Sequence, residues 1–121
     1  MRQRIILSAM AGLMVVAAGV RPAKVSGQSE PKRVEIIAKR FTYQPSELTI
    51  KKGEPVVLVL HSEDVTHGLR IPDLDVELQV SKGGSSEASI TPEKTGDFTG
   101  HCWVFCGAGH GGMALTVHVV D

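Results

Sequence analysis

Net charge is the first thing that this sequence lacks. Thirteen lysines and arginines balance thirteen aspartates and glutamates in 121 residues. A chain of this length forms one domain, and the balanced composition excludes a basic nucleic-acid binder and a long disordered tail. The sequence also has no nucleophile with an adjacent base and no paired carboxylates with a reason to be perturbed. Catalysis by the chain's own acids, bases or nucleophiles is therefore not expected.

Helical periodicity is missing after residue 30. Apolar residues alternate with polar ones instead, which is typical of half-buried strands. The alternating segments are VEIIAK, ELTI, DVELQV, SSEASI and MALTVHVV. PVVLVL is a continuous apolar run of the kind that a strand covered on both faces shows, and turns rich in Gly, Pro and Lys, such as KKGE, separate the segments. Several short strands in residues 34–121 predict an all-β fold, a Greek-key β-sandwich.

Long apolar runs are confined to the N-terminus. Arg2 and Arg4 precede the run IILSAMAGLMVVAAGV at residues 5–20, and a small-residue stretch ends at Gly27. This order is typical of a secretory signal, and the run is short for a membrane-spanning helix. If the segment stays uncleaved, residues 5–20 anchor the chain to a membrane. The expected divisions are a signal peptide or membrane anchor, a linker and one domain: residues 1–27, 28–33 and 34–121. We therefore expect an exported protein, periplasmic or on the outer face of the cytoplasmic membrane.

Cysteine is scarce, with two in the whole chain. A sandwich of this size can bury enough Val, Ile and Leu without a disulfide, so the spacing of the cysteines needs another explanation. Both lie in HCWVFCGAGHGGM, with the pattern C-x3-C-x3-H-x2-M: Cys102, Cys106, His110 and Met113. Thiolate, imidazole and thioether are ligands that suit copper, and the glycines let a short loop wrap tightly around a metal.

One more ligand is needed from another segment, and His67 in EDVTHGLRI is the candidate. It shares strand parity with Leu69 and Ile71, so it should point to the buried side. The alternative for a single buried histidine is a core residue satisfied by hydrogen bonds. The other histidines after residue 30 have a surface or loop position by the same parity argument; they are His61, His101 and His118.

EDVTHGLRIPDLDV, followed by CWVFCGAGHGGM, resembles the dinuclear copper A (CuA) domain of cytochrome c oxidase subunit II, and nitrous oxide reductase carries a similar domain. The resemblance extends over nearly all of residues 34–121 and includes FTYQPSELTIKKGEPVVLVLHSEDVTHG. It implies a cupredoxin-like fold holding two copper ions in a mixed-valence CuA centre. The ligands that it implies are two bridging thiolates, two terminal imidazoles, a weak axial thioether and a backbone carbonyl: Cys102, Cys106, His67, His110, Met113 and Val104.

The resemblance also implies a function, which is one-electron transfer without catalysis by the chain alone. The expected donor is a c-type cytochrome or another cupredoxin, and the expected acceptor is a terminal oxidase or reductase. The family carries a glutamate at the position of Val104, where its side chain reaches a magnesium ion at the contact with subunit I, and valine cannot bind that ion. The family's paired transmembrane helices have no counterpart in the single signal-like segment.

Four alternatives to the dinuclear centre remain open from the residues. An exported copper chaperone or copper-storage protein could use the same loop. A disulfide between Cys102 and Cys106 would close a very short loop and stabilise little, and we expect it only in copper-free protein. Zinc would leave Met113 idle, and a mononuclear blue-copper site would leave one thiol spare.

Two further features have open interpretations. Five acids fall within residues 63–77 and form either a solvated face or a docking patch for a basic partner; they are Glu63, Asp64, Asp73, Asp75 and Glu77. Trp103, the only tryptophan, is either a buried anchor for the loop or an exposed contact for electron entry. We favour the exposed contact, because aromatic side chains beside a metal loop often meet a partner.

Overall fold

A computed structural model of the protein describes Gly19 and residues 30–121. The expected signal peptide, its cleavage site and the start of the linker lie outside the described residues. In the part of the chain that is described, no helix has the length and apolar character needed to cross a membrane. The first strand begins at Lys32, shortly before the expected domain boundary at residue 34.

Residues 30–121 fold into β-strands connected by loops and two short 3-10 turns. The 3-10 turns are Pro72–Leu74 and His110–Gly112. The strands are β1 Lys32–Lys39, β2 Thr42–Gln44, β3 Glu47–Lys51, β4 Val56–Ser62, β5 His67–Ile71, β6 Val76–Val80, β7 Ser85–Ile90, β8 Gly96–His101 and β9 Ala114–Val120. The predicted absence of α-helix is confirmed for this part of the chain.

The strands form two sheets, one in the order β2-β1-β4-β7 and the other in the order β3-β9-β8-β5-β6. Most neighbours are antiparallel, but β1 pairs with β4 and β3 pairs with β9 in parallel. Parallel neighbours cannot be joined by a tight hairpin, so their connections pass through the other sheet. The result is the predicted β-sandwich.

The core lies between the two sheets and follows the alternation in the sequence. In β6, Val76, Leu78 and Val80 are buried while Glu77 and Gln79 are exposed. The apolar run in β4 is buried almost throughout, with only Val57 half-exposed among its valines and leucines. In β7, Ser86 and Ala88 share a strand face with the buried Ile90 but are only half-buried, because β7 is an edge strand of the four-stranded sheet.

One end of the five-stranded sheet brings the candidate ligands together. β5 and β8 are antiparallel and Arg70 pairs with His101, so β5 begins at the end where β8 finishes. The chain then makes the β8–β9 loop, residues 102–113. The backbone N–H of Cys102 donates to the carbonyl of Met113 at 3.3 Å and closes the base of this loop. Sheet register therefore places His67 beside the loop.

Candidate metal centre

The β8–β9 loop gathers soft donor atoms around Cys106. The Sγ of Cys106 lies 3.8 Å from the Sγ of Cys102, 3.6 Å from Nδ1 of His110 and 3.9 Å from Sδ of Met113. The carbonyl oxygen of Val104 lies 3.1 Å from the Sγ of Cys102. Both cysteines are free thiols. Each of these five donor atoms of the β8–β9 loop thus lies within contact distance of at least one of the others.

His67 brings an imidazole to the same cluster from β5. One ligand atom from each of His67, Cys102 and Cys106 lies within 4.8 Å of the other two. His67 is fully buried, as its parity with Leu69 and Ile71 predicted. Its Nε2 contacts Oδ1 of Asp64 at 2.7 Å, whereas its Nδ1 is buried and has no hydrogen-bond partner among the described residues.

The unpartnered Nδ1 of His67 is what a metal site requires. A buried polar atom without a partner costs about 1–3 kcal/mol, so such atoms are uncommon in folded proteins. Because Asp64 accepts the proton on Nε2, the lone pair is left on Nδ1, which is the tautomer of a metal-ligating histidine held by a carboxylate. The donor set of two thiols, two imidazoles and a thioether fits copper.

Asp64 contacts the candidate site, whereas the sequence argument placed it only in the acidic window. Its carboxylate accepts the backbone N–H of Arg40 at 2.8 Å and that of Val65 at 2.7 Å, besides the ring of His67. Burial by itself raises the pKa of Asp64, but these hydrogen bonds outweigh it and lower the pKa to about 2. The carboxylate is therefore charged at any physiological pH and holds His67 in one orientation.

Cys102 is surrounded by a second set of contacts that the sequence did not indicate. The backbone N–H of Gly68 points at its Sγ from 3.4 Å, and the hydroxyl of Tyr43 donates to the carbonyl of Gly68 at 2.5 Å. Burial first, and then the nearby charge of Cys102, raise the pKa of Tyr43 well above its ordinary value. Tyr43 thus stays a neutral hydrogen-bond donor to Gly68, the residue whose N–H faces the thiol.

Cys106 is buried, and its surroundings disfavour a bare thiolate. Burial, followed by the hydrogen bond and charge of Cys102, raises the pKa of Cys106 to about 11. Metal binding at neutral pH must therefore displace a proton from this thiol. The next residue, Gly107, has φ 136°, which side-chain-bearing residues rarely adopt, so the turn after Cys106 needs glycine there.

The favoured interpretation of Trp103 is not what the geometry supports. Its Nε1–H donates to the carbonyl of Leu78 at 2.9 Å, and the guanidinium of Arg70 lies 5.0 Å from its ring centroid. The ring is packed so closely on β5 that a Cβ added to Gly68 would lie 2.7 Å from it. The half-buried Trp103 anchors the loop to β5 and β6, which is the alternative interpretation.

Phe105 is the exposed aromatic residue of the loop, and the sequence argument missed it. Its side chain is 78% exposed, and its ring centroid lies 5.8 Å from that of His110 at an interplanar angle of 49°. Its place in the sequence could have indicated this residue, because Phe105 lies between Val104, whose carbonyl faces Cys102, and Cys106. Phe105 is therefore a solvent-exposed side chain next to His110, at the edge of the donor cluster.

The remaining sequence expectations have mixed outcomes. As expected, His101 is exposed at the end of β8, and His61 and His118 are half-buried on β4 and β9. The acidic window does not form one patch. Asp64 is bound to His67, and Glu77 pairs with Arg70. Asp73 lies in the 3-10 turn at the other end of β5, and Asp75 directly follows that turn.

Fold and site together define a cupredoxin domain with a sulfur-rich candidate metal site. The family model for the cupredoxin-like domain matches residues 6–113, and the chain belongs to that family. Within it, two sequences named cytochrome c oxidase subunit 2 from Thermus thermophilus are each 30% identical over 102 residues, or 83% of this chain. The chain spans 76% of one of them and 61% of the other. The resemblance to a CuA domain of subunit II is thus confirmed.

Solved structures agree with this placement. The periplasmic domain of subunit II of cytochrome oxidase of Bradyrhizobium japonicum has a TM-score of 0.71 at 19% identity, over 78% of this chain and 87% of that one. At that identity the likeness shows the fold alone. A heme-copper terminal oxidase dimer has a TM-score of 0.67 at 26% identity, over 81% of this chain and 76% of that one.

Proposed function

We propose that this protein is an exported one-electron carrier whose β8–β9 loop and His67 hold two copper ions in a mixed-valence CuA-type centre. The observation that carries the proposal is the convergence of six donor groups at one end of the sandwich, with the buried Nδ1 of His67 left unpartnered among them. The proposed ligands are His67, Cys102, Val104 through its carbonyl, Cys106, His110 and Met113.

The copper pair, when bound, supplies a one-electron couple whose charge is shared between two metals. The protein supplies a fixed and nearly dry frame for it. His67 and Met113 are fully buried, and Cys102 and Cys106 are each 5% exposed. Ligands that are held by strands, and by neighbouring residues that bind them as Asp64 binds His67, move little when the charge of the centre changes. Small movement favours fast electron transfer. His110 is half-exposed, and the ring of the exposed Phe105 lies beside it.

The partners that we propose follow from the relatives. An oxidase subunit implies a c-type cytochrome or another cupredoxin as donor and a terminal oxidase or reductase as acceptor. The periplasmic domain among the similar structures supports an exported location. Val104 has no side-chain oxygen, and its Cγ2 would lie 3.0 Å from a Cβ on Gly68. We therefore propose that contact with the acceptor does not use a magnesium ion held at this position.

The proposal is tested on the purified, copper-loaded protein by counting the copper ions per chain and recording the electron paramagnetic resonance spectrum. We expect two coppers per chain that share one unpaired electron. One copper with a signal localised on a single nucleus would contradict the dinuclear centre. A silent cuprous ion that exchanges readily with a chelator would instead favour the copper chaperone or storage protein.

A further inference from the structure

The two-residue turn between β1 and β2, Arg40–Phe41, contacts both sources of the proposed ligands. Nε of Arg40 donates to the carbonyl of Cys106 at 3.1 Å. The backbone N–H of Arg40 donates to Oδ2 of Asp64 at 2.8 Å, and the other oxygen of Asp64 accepts from His67. One residue of the turn is therefore connected to the β8–β9 loop and, through a single carboxylate, to the ligand on β5.

Phe41 contacts the same loop by packing. A Cβ added to Gly109 would lie 2.4 Å from the ring of Phe41, and one added to Gly107 would lie 2.9 Å from it. Gly109 has φ −89° and ψ 8°, a conformation open to alanine, so the nearby ring rather than the backbone requires glycine there. Gly111 of the same loop has nothing within 4 Å of an added Cβ.

We propose that Arg40 and Phe41 are positioning residues that form a strap, holding the segment from Cys106 to Gly109 against the His67 side of the site before copper binds. The inference rests on the proposed function in taking His67, Cys106 and His110 as ligands. Ligands that are already ordered lose less conformational freedom when they bind, so a pre-positioned loop binds metal more tightly and releases it more slowly.

The hydrogen bond of the strap is tested with Arg40→Met, which keeps the length of the side chain but removes its donors and charge. Arg33→Met is the matched control, because Arg33 is an exposed arginine of β1 whose guanidinium pairs with Glu87. We expect Arg40→Met to speed hydrogen exchange of the loop amides in metal-free protein, and to speed copper release to a chelator by roughly three- to tenfold. That range corresponds to about 0.7–1.4 kcal/mol, which is the net contribution of one typical hydrogen bond. Arg33→Met should match wild type in both measurements.

The packing of the strap is tested with a double-mutant cycle between Phe41 and Gly109. Gly109→Ala should speed copper release by about tenfold, as expected for overpacking of more than 1 kcal/mol. Gly111→Ala should have no effect. Because Phe41→Ala removes the ring that an added methyl group meets, Gly109→Ala should cost little more in that background. Thermal unfolding of each metal-free variant shows that the comparisons are made on folded protein.

Two results would overturn the strap. One is an Arg40→Met variant that matches Arg33→Met in both amide exchange and copper release. The other is full additivity, in which Gly109→Ala speeds copper release by the same factor in the Phe41→Ala background as in wild type. Amide exchange is measured without metal, so a wild-type protein that holds one copper would contradict the dinuclear centre and leave the test of the strap intact.

Discussion

His67 and His110 offer the same imidazole to the site from two different kinds of surroundings. His67 begins β5, is fully buried, and has its Nε2 tied to Asp64. His110 belongs to a 3-10 turn flanked by glycines, is half-exposed, and has the exposed ring of Phe105 beside it. The sheet fixes the first ligand, whereas the loop and its packing fix the second. Under the proposed function, we therefore expect the buried side to retain the metal and the loop side to exchange electrons with a partner.

The largest effect should come from the residue where the two regions meet. Cys106 lies between Cys102 and both loop donors, so Cys106→Ser removes the sulfur common to these contacts. We expect the dinuclear centre to be abolished, with at most one copper retained per chain, measured by metal analysis and electron paramagnetic resonance. Two coppers retained in Cys106→Ser would refute the bridging role.

The second effect separates the two histidines. Asp64→Ala removes the carboxylate that orients His67 and that has no direct hydrogen bond to His110 among the described residues. Copper affinity should weaken about 10- to 100-fold, which is typical when a residue that hydrogen-bonds to a metal ligand is lost. Glu63→Ala, at the exposed neighbouring acid, is the control and should have no effect. In a pulsed resonance experiment the nitrogen coupling of His67 should change more than that of His110, which Asp64 reaches only through Arg40. Equal changes in both couplings would mean that the two ligands are not independently held.

A smaller effect is expected from the axial donor. Met113 is fully buried and its Sδ lies 3.9 Å from the Sγ of Cys106. Met113→Leu conserves volume, so the fold should lose less than about 1.5 kcal/mol of stability. Because a weak axial ligand tunes the redox potential and contributes little to metal retention, we expect two coppers and a shifted potential, measured by voltammetry. Loss of one copper would show that Met113 is a required ligand.

Much of this arrangement was predictable from the sequence, and the limits have physical reasons. Alternation identifies the strands because a buried face must be apolar, and it also places His67 inward beside Leu69. Spacing identifies the loop ligands because Cys102, Cys106, His110 and Met113 are close along the chain. What could not be predicted are contacts between segments far apart in sequence. The strap and the packing of Trp103 on Gly68 depend on sheet register, which sequence periodicity leaves open. Asp64 is only three residues from His67, but its acceptor role depends on the conformation of the β4–β5 loop, which alternation does not predict.

The smallest effect concerns a histidine outside both regions and serves as a reference for them. His118 on the face of β9 contacts Asp97 at 2.5 Å and Glu47 at 3.6 Å. The hydrogen bond with Asp97 raises the pKa of His118 above its ordinary value and outweighs the loss of solvent, which lowers it. A histidine whose pKa is raised by folding stabilises the folded state while it is protonated in that state. That stability is fully present below the unfolded value and disappears as the pH rises through the folded value. We therefore expect His118→Gln to lower the free energy of unfolding at about pH 6 and to match wild type at about pH 9, measured by denaturant titration. Copper content and the resonance spectrum should stay unchanged, whereas an equal loss of stability at both pH values would assign the effect to packing of the ring rather than to its charge.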